Sequence, residues 1–252
     1  MTETRSIRAA SLLLEARRTR QWVASLPEEC RPKDLADAYS VQNLVLAELG
    51  EVAAWKVGAG SPEGLPACAA IARATLFETG ARLPPELFNL VGVEAEIAYR
   101  FSNDLPPREE AYTEGEVAAA IETIHAAIEI SDTRFLSWAS QDRLSHIADQ
   151  LNHGTLVIGP GVRNWRELDP IRQRVLLTIN GVLSSDMIGG NPAGDPMRLL
   201  EWLANDGSRM LGGIRAGHVV TTGSMTGVVF KSLPVDVRAD LVGYESVRVM
   251  IG

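Results

Sequence analysis

The sequence predicts an α+β fold in which helices come first and a strand-rich body follows. Two stretches of helical periodicity precede Gly50, and short apolar or alternating segments separated by turn residues fill the remainder. An Asn-Gly hairpin signal in the second half adds to the strand content. The 252 residues suit one large domain, and 46% hydrophobic residues supply ample material for a core.

From Ile7 to about Ala24, Leu12, Leu13, Ala16 and Val23 recur at helical spacing. The string RPKDLADAYSVQNLVLAELG is a second amphipathic helix, with Asp34 as candidate N-cap and Gly50 as stop. VAAWKVGAG reads as a strand ended by glycines, and ATLFETGARLPPELFNL as a turn-rich loop. VGVEAEIAYRFSNDL is a strand with a turn at its end. TEGEVAAAIETIHAAIEISDTRF opens as a helix capped by Thr113, and its tail, AAIEISDTRF, can pass into a strand. HGTLVIGPGV is a strand, and VLLTINGVLSSDM is a hairpin about Asn180-Gly181, a pair that accepts two positive φ values. GDPMRLLEWLANDGSRM is a helix with Met197, Leu200 and Leu203 as its apolar residues, and strands and turns close the chain.

Composition excludes several classes. A net charge of −8 does not suit nucleic acid, and the cluster Arg17, Arg18 and Arg20 reads as a solvated helix face. No signal-peptide pattern or membrane-length apolar run occurs, so a cytoplasmic protein is expected. Cys30 and Cys68 have no metal or redox spacing. GAGSPEG fails as a dinucleotide loop, and neither G-x-S-x-G nor H-E-x-x-H is present. His125, His146, His153 and His218 are scattered and read as structural or exposed, with His153 the one beside an unusual stretch, ADQLN. Trp138 reads as core.

The acidic residues are more informative. In VGVEAEIAYRF, Glu94 and Glu96 lie two apart in an otherwise apolar strand, so they project to one face, roughly 6–7 Å apart at their roots. Either this is the wet face of an antiparallel strand, or a cation sits between two carboxylates that would otherwise repel. An oxygen-rich site of that kind suits Mg²⁺ or Mn²⁺. Glu129, in AAIEISDTRF, is a candidate third ligand, and Asp132 and Arg134 are candidates to support it or end a helix as a salt bridge.

The segments DLADAYSVQ, AAWKVGAGS, VGVEAEIAYRFSNDL, AAIEISDTRFLSW, HIADQLNHGTLVIG, GDPMRLLEWLAN and AGHVVTTGSMTG occur in an order that resembles one enzyme family. It is the 2-keto-4-pentenoate hydratase and 4-oxalocrotonate decarboxylase branch of the fumarylacetoacetate hydrolase superfamily. The resemblance implies a mixed β-roll core with an N-terminal helical segment, divided as residues 1–55 and 56–252. It implies that Glu94, Glu96 and Glu129 bind Mg²⁺ or Mn²⁺ and that Lys56, in AAWKV, is the catalytic proton carrier. Burial between Trp55 and Val57 is expected to lower its pKa. Substrate contacts are expected from Ser61, Asp132, Arg134, Thr222, Gly223 and Ser224. The implied activity is hydration of a 2-hydroxy-2,4-dienoate in aromatic catabolism, with 2-oxo-diacid decarboxylation or a non-catalytic partner subunit as alternatives. Arg134, Arg73 or Arg82 in the pocket would favour decarboxylation. A homo-oligomer, with a pathway enzyme as a candidate partner, is also implied. The family's usual A-D-N-A-S is replaced here by ADQLN at 148–152.

Overall fold

The computed structural model describes residues 2–252. Helices α1 (Thr2–Thr19) and α2 (Leu35–Leu49) come first. α1 stops short of its apolar periodicity because Arg20 takes φ 58° and Val23 leaves to bridge Phe135. α2 ends where its caps dictate: the Asp34 side chain accepts from the Asp37 amide, and Gly50, at φ 111°, donates to Leu46 O. Ala9, Ala10 and Leu13 of α1 pack with Val41 and Val45 of α2 and with Phe135 and Ala148.

The body begins with β1 (Val52–Gly58), β2 (Ala67–Ala72), β3 (Leu76–Glu78), β4 (Ala81–Leu83) and β5 (Gly92–Phe101). Helix α3 (Glu114–Ala120), opened by a capping box between Thr113 and Glu116, runs directly into β6 (Ile121–Ser131). Then come α4 (Arg143–Ala148), β7 (His153–Ile158), β8 (Arg174–Ile179), β9 (Val182–Ile188) and α5 (Pro196–Trp202). The chain ends with β10 (Val219–Ser224), β11 (Val229–Phe230), β12 (Val235–Leu241) and β13 (Glu245–Ile251).

These strands form two sheets. The larger is ordered β2-β1-β10-β5-β6-β7-β3, with β11 also on β5; the smaller is β4-β13-β12-β8-β9. In the larger, β1 pairs with β10 and β3 with β7 in parallel, while β5, β6 and β7 form an antiparallel centre. Alternation on β5 sends Ala95, Ile97 and Tyr99 into the main core, which also holds Val175, Leu177, Val237 and Val249 of the smaller sheet. The opposite face holds a second, smaller cluster in which Ala54, Ala98 and Ala127 pack with Ile71, Leu156, Ile158 and Val219. Glu94 and Glu96 share that face by the same alternation.

Several elements differ from the sequence reading. The expected loop at 74–90 contains β3 and β4, two three-residue strands too short to register as a pattern. β2 lies in a stretch with no prior assignment, and β6 starts earlier, at Ile121. Asn180 and Gly181 form the hairpin turn, with φ 51° and 76°. Trp138 is half-buried rather than core, edge-to-face with the exposed ring of Phe230 at 5.0 Å. Arg17 is no part of a solvated face; it donates to Gln150 Oε1 and His153 O.

A buried ion pair fastens the segment after β6 to the end of α4. Arg134 Nε donates to Asp149 Oδ1 at 2.5 Å, with both side chains all but inaccessible, and its other nitrogens donate to the carbonyls of Asp149 and His153. Replacing Arg134 by Met leaves Asp149 buried and uncompensated, so urea denaturation of the metal-free protein is expected to show a loss of about 3–5 kcal/mol. A loss under about 1 kcal/mol would mean that Asp149 is hydrated or re-paired.

Candidate metal centre and active site

The antiparallel register of β5 and β6 sets Glu94 directly opposite Glu129. Glu96, two residues along β5, lies on the same face, across from Ser224 of β10. The three carboxylates each bring one oxygen within 4.8 Å of the others. Glu96 and Glu129 are buried and Glu94 is half-buried. Like charges this close in a low-dielectric setting repel, so each needs named partners.

Glu94 Oε2 accepts from the Ser131 hydroxyl at 2.7 Å. Glu96 Oε2 accepts from the Thr221 hydroxyl and from the Gly223 amide. A register shift in β10 between Thr221 and Ser224, with Gly223 at φ 100°, aims both donors at one oxygen. Glu129 Oε1 accepts from Lys56 Nζ at 2.7 Å and faces His153 Nδ1 at 3.0 Å. Lys56 Nζ also donates to Leu151 O at 3.0 Å. Gln150, Leu151 and Asn152 all have positive φ, an arrangement that turns the Leu151 carbonyl toward the lysine.

Titration follows from these contacts. Burial, then Glu129 and Glu94, push the Glu96 carboxyl up to about 8. Burial and Glu129 also raise Glu94. Burial opposes ionising Glu129 too, but Lys56 and His153 outweigh it and hold this carboxyl below the ordinary value. His153, pushed down to about 4 by burial, is neutral. Its Nδ1 is therefore best read as the protonated nitrogen donating to Glu129, with the Thr75 hydroxyl on Nε2. For Lys56 the sequence expectation is reversed. Burial alone would lower its pKa, but Glu129, Glu94 and Glu96 together raise it, so it is a firm ammonium.

A cavity of about 590 Å³ opens onto this cluster. Its floor is Lys56, Glu94, Glu96 and Glu129 with Gly223 and Ser224; its walls include Val57, Leu65, Arg143, His146, Ile147 and Leu151. Of the expected site residues, Lys56, the three glutamates, Gly223 and Ser224 therefore meet. The others do not line this cavity. Thr222 turns its hydroxyl to Ile97 O, and Asp132 accepts the amides of Asn89, Leu90 and Thr133. Arg134 is consumed by Asp149. Ser61 engages Gly64 and Arg198 through its carbonyl. Arg73 and Arg82 are exposed and likewise do not line the cavity.

The sequence reading set the Thr221–Gly227 segment beside the site without assigning the Thr221 hydroxyl to Glu96, and it missed the pair Arg143 and His146 on α4. The i, i+3 spacing of that pair was the available signal, but a six-residue helix has too little periodicity to announce a face. His146, read from the sequence as structural or exposed, is half-buried and lines the cavity.

The donor set fits a divalent cation. All three ligands are hard oxygens, their charge exceeds what one ammonium offsets, and the cavity leaves room for water. Three glutamates on adjacent strands at the floor of a small cavity form a candidate centre for a cation beside a small polar ligand. The sequence profile of the fumarylacetoacetate (FAA) hydrolase C-terminal domain matches residues 60–245. A 2-keto-4-pentenoate hydratase of Paraburkholderia phymatum is 30% identical over 95% of this chain and 94% of its own. One from Burkholderia vietnamiensis is 28% identical over 98% of each. Among solved structures, 4-oxalocrotonate decarboxylase from Pseudomonas putida G7, complexed with magnesium and adipate, superposes with a TM-score of 0.87. That match covers 100% of this chain and 99% of the other at 21% identity. The chain belongs to the fumarylacetoacetate hydrolase family.

Two outcomes follow for the metal-free protein. Because folded Glu96 holds its proton up to about pH 8, above the ordinary carboxylate range, its contribution to stability is present at low pH and is lost as pH rises toward 8. Glu96→Gln is therefore expected to raise the melting temperature in EDTA near pH 8 while abolishing stabilisation by added Mg²⁺; a lower EDTA melting temperature would contradict this. Cation uptake must also expel that proton. Calorimetry in buffers of different ionisation enthalpy should show proton release near pH 7, and affinity weakening as pH falls below about 8. Affinity independent of pH would contradict it.

Proposed function

We propose that this chain is a divalent-metal-dependent lyase of 2-oxo acids, hydrating a 2-hydroxy-2,4-dienoate to a 4-hydroxy-2-oxo acid in aromatic catabolism. The observation that carries the reading is the convergence of Glu94, Glu96 and Glu129 at the floor of a cavity sized for a small acid. The names of the relatives, 2-keto-4-pentenoate hydratase above all, point to the same reaction.

In this reading the three glutamates hold Mg²⁺ or Mn²⁺, which when bound supplies Lewis acidity at the substrate's carboxylate and 2-oxo end. Gly223 and Ser224 flank the carboxylates where that end would rest and so orient it. Lys56, whose ammonium donates to Glu129 Oε1 at the cavity floor, is the proton donor in this reading. Val57, Leu65 and Ile147 give the substrate's hydrocarbon part an apolar wall. Among the described residues no helix is long and apolar enough to cross a membrane. A cytoplasmic homo-oligomer is the setting we propose.

A second reading, decarboxylation of a 2-oxo diacid, is favoured by one observation. Arg143 places a guanidinium at the cavity wall, where a distal carboxylate would find it. Incubating the protein with Mg²⁺ and either substrate separates the two. The expected result is loss of dienol absorbance without CO₂ release, abolished by EDTA and restored by Mg²⁺ or Mn²⁺. CO₂ release from the diacid would select decarboxylation. No turnover of either would overturn the enzymatic reading in favour of a non-catalytic partner subunit.

A further inference from the structure

The hydration assigned above needs a group that accepts a proton as well as one that donates, and the floor of the cavity offers no free acceptor. In that reading the three glutamates hold the cation, and Lys56 is bound to Glu129 Oε1 and to Leu151 O. Arg143 is a permanent cation. One titratable side chain of the cavity lining remains, the imidazole of His146.

Its placement is fixed by the short helix α4. Asp142 caps that helix by accepting the amides of Leu144 and Ser145, and Ser145 Oγ donates back to Asp142. From α2, Gln42 Nε2 donates to Ile147 O at 2.8 Å and to Cys68 O at 3.2 Å, tying the helix to β2. Ser145, Ile147 and Ala148 are buried, whereas His146 is only half-buried and lines the cavity one turn after Arg143. No ion pair holds the ring among the described residues.

We propose that His146 is a catalytic base of the hydration, taking the proton of the water that adds to the substrate. This rests on the reaction proposed above. The dienol first loses its 2-hydroxyl proton and gains one at C5, giving a 2-oxo-3-enoate. The water oxygen then bonds to C4, the C3–C4 π pair moves toward the 2-oxo group, and the water's proton passes to the imidazole. C3 takes up one proton as the ketone re-forms, and His146 gives up the one it holds, so water is added with no net change in the protein. Lys56 and His146 thus line one cavity with opposite roles, one to donate a proton and the other to accept one. Burial and the Lys56 ammonium both favour the neutral ring; Arg134 acts in the same sense, while Asp149 and the Leu151 carbonyl oppose it.

The test compares the wild-type protein with His146→Gln, loaded with Mg²⁺, across a pH series. The expected result is a loss in kcat of about 100-fold or more and disappearance of the acidic limb of kcat/KM. The melting temperature and the calorimetric Mg²⁺ affinity should stay unchanged, which separates a chemical role from a structural one. A variant within about threefold of wild type that keeps its acidic limb would overturn the proposal. Should His146→Gln fail to fold, His146→Asn takes its place. An arm independent of turnover follows the imidazole directly. There are only four histidines, so the NMR signal of His146 is assigned by its loss in the variant. In the wild type with Mg²⁺ it should shift, with its pKa, when 2-oxopentanoate binds; an unmoved signal under saturating ligand would overturn the proposal. If the wild type hydrates no dienol but this signal responds, the reaction assigned above fails while His146 stays assigned to the ligand site.

Discussion

Three carboxylates held on neighbouring strands of one sheet, with a single ammonium among them, set the terms for the rest of the molecule. At about 5 Å and an effective dielectric near 20, each ionised pair costs roughly 3 kcal/mol. Lys56 offsets part of that through Glu129, and hydroxyl and amide donors steady Glu94 and Glu96. The remainder appears as a proton retained on Glu96. A fold that keeps such a cluster carries a local cost that a bound cation would relieve, and this supports the proposal of a metal centre over a polar strand face.

The surrounding architecture serves that cluster from several directions. Farther along the same face, Ala54, Ala98 and Ala127 pack with Ile71, Leu156, Ile158 and Val219 in a buried apolar cluster. The left-handed run of Gln150, Leu151 and Asn152 presents a carbonyl to Lys56, and conformations of this kind persist only where neighbours over-determine them. Here the neighbours are Arg17 from α1, gripping Gln150 and His153 O, and Arg134, gripping Asp149 and the same carbonyl. The helical segment is therefore tied to the wall of the site through Arg17 and Gln42, although it contributes none of the carboxylates.

Much of the layout was legible in the sequence because local chemistry decided it. Asp34 and Gly50 bound one helix, Thr113 opens another, and Asn180-Gly181 turns a hairpin. Glu94 and Glu96 were visible through period-two alternation. Glu129 was only a candidate until β5 and β6 were paired, since register is a tertiary property. The sign of the Lys56 shift was misjudged for the same reason: burial could be read from AAWKV, but three converging acids could not. Asp132 and Arg134 lie near Glu129 in sequence, yet they bond backbone amides and Asp149 and stand behind the site. Arg143 and His146 reach the cavity through the placement of a single short helix, whose six residues are too few for their i, i+3 spacing to stand out in the sequence.

The account stands on one ion shared by three side chains. Crystals of the protein soaked in Mn²⁺ and measured at the manganese absorption edge locate such an ion without reference to activity. The predicted outcome is a single strong anomalous peak at the cavity floor, about 2.1 Å from one oxygen each of Glu94, Glu96 and Glu129. A peak bound by other residues, or none at saturating manganese with the three carboxylates still grouped, would contradict it.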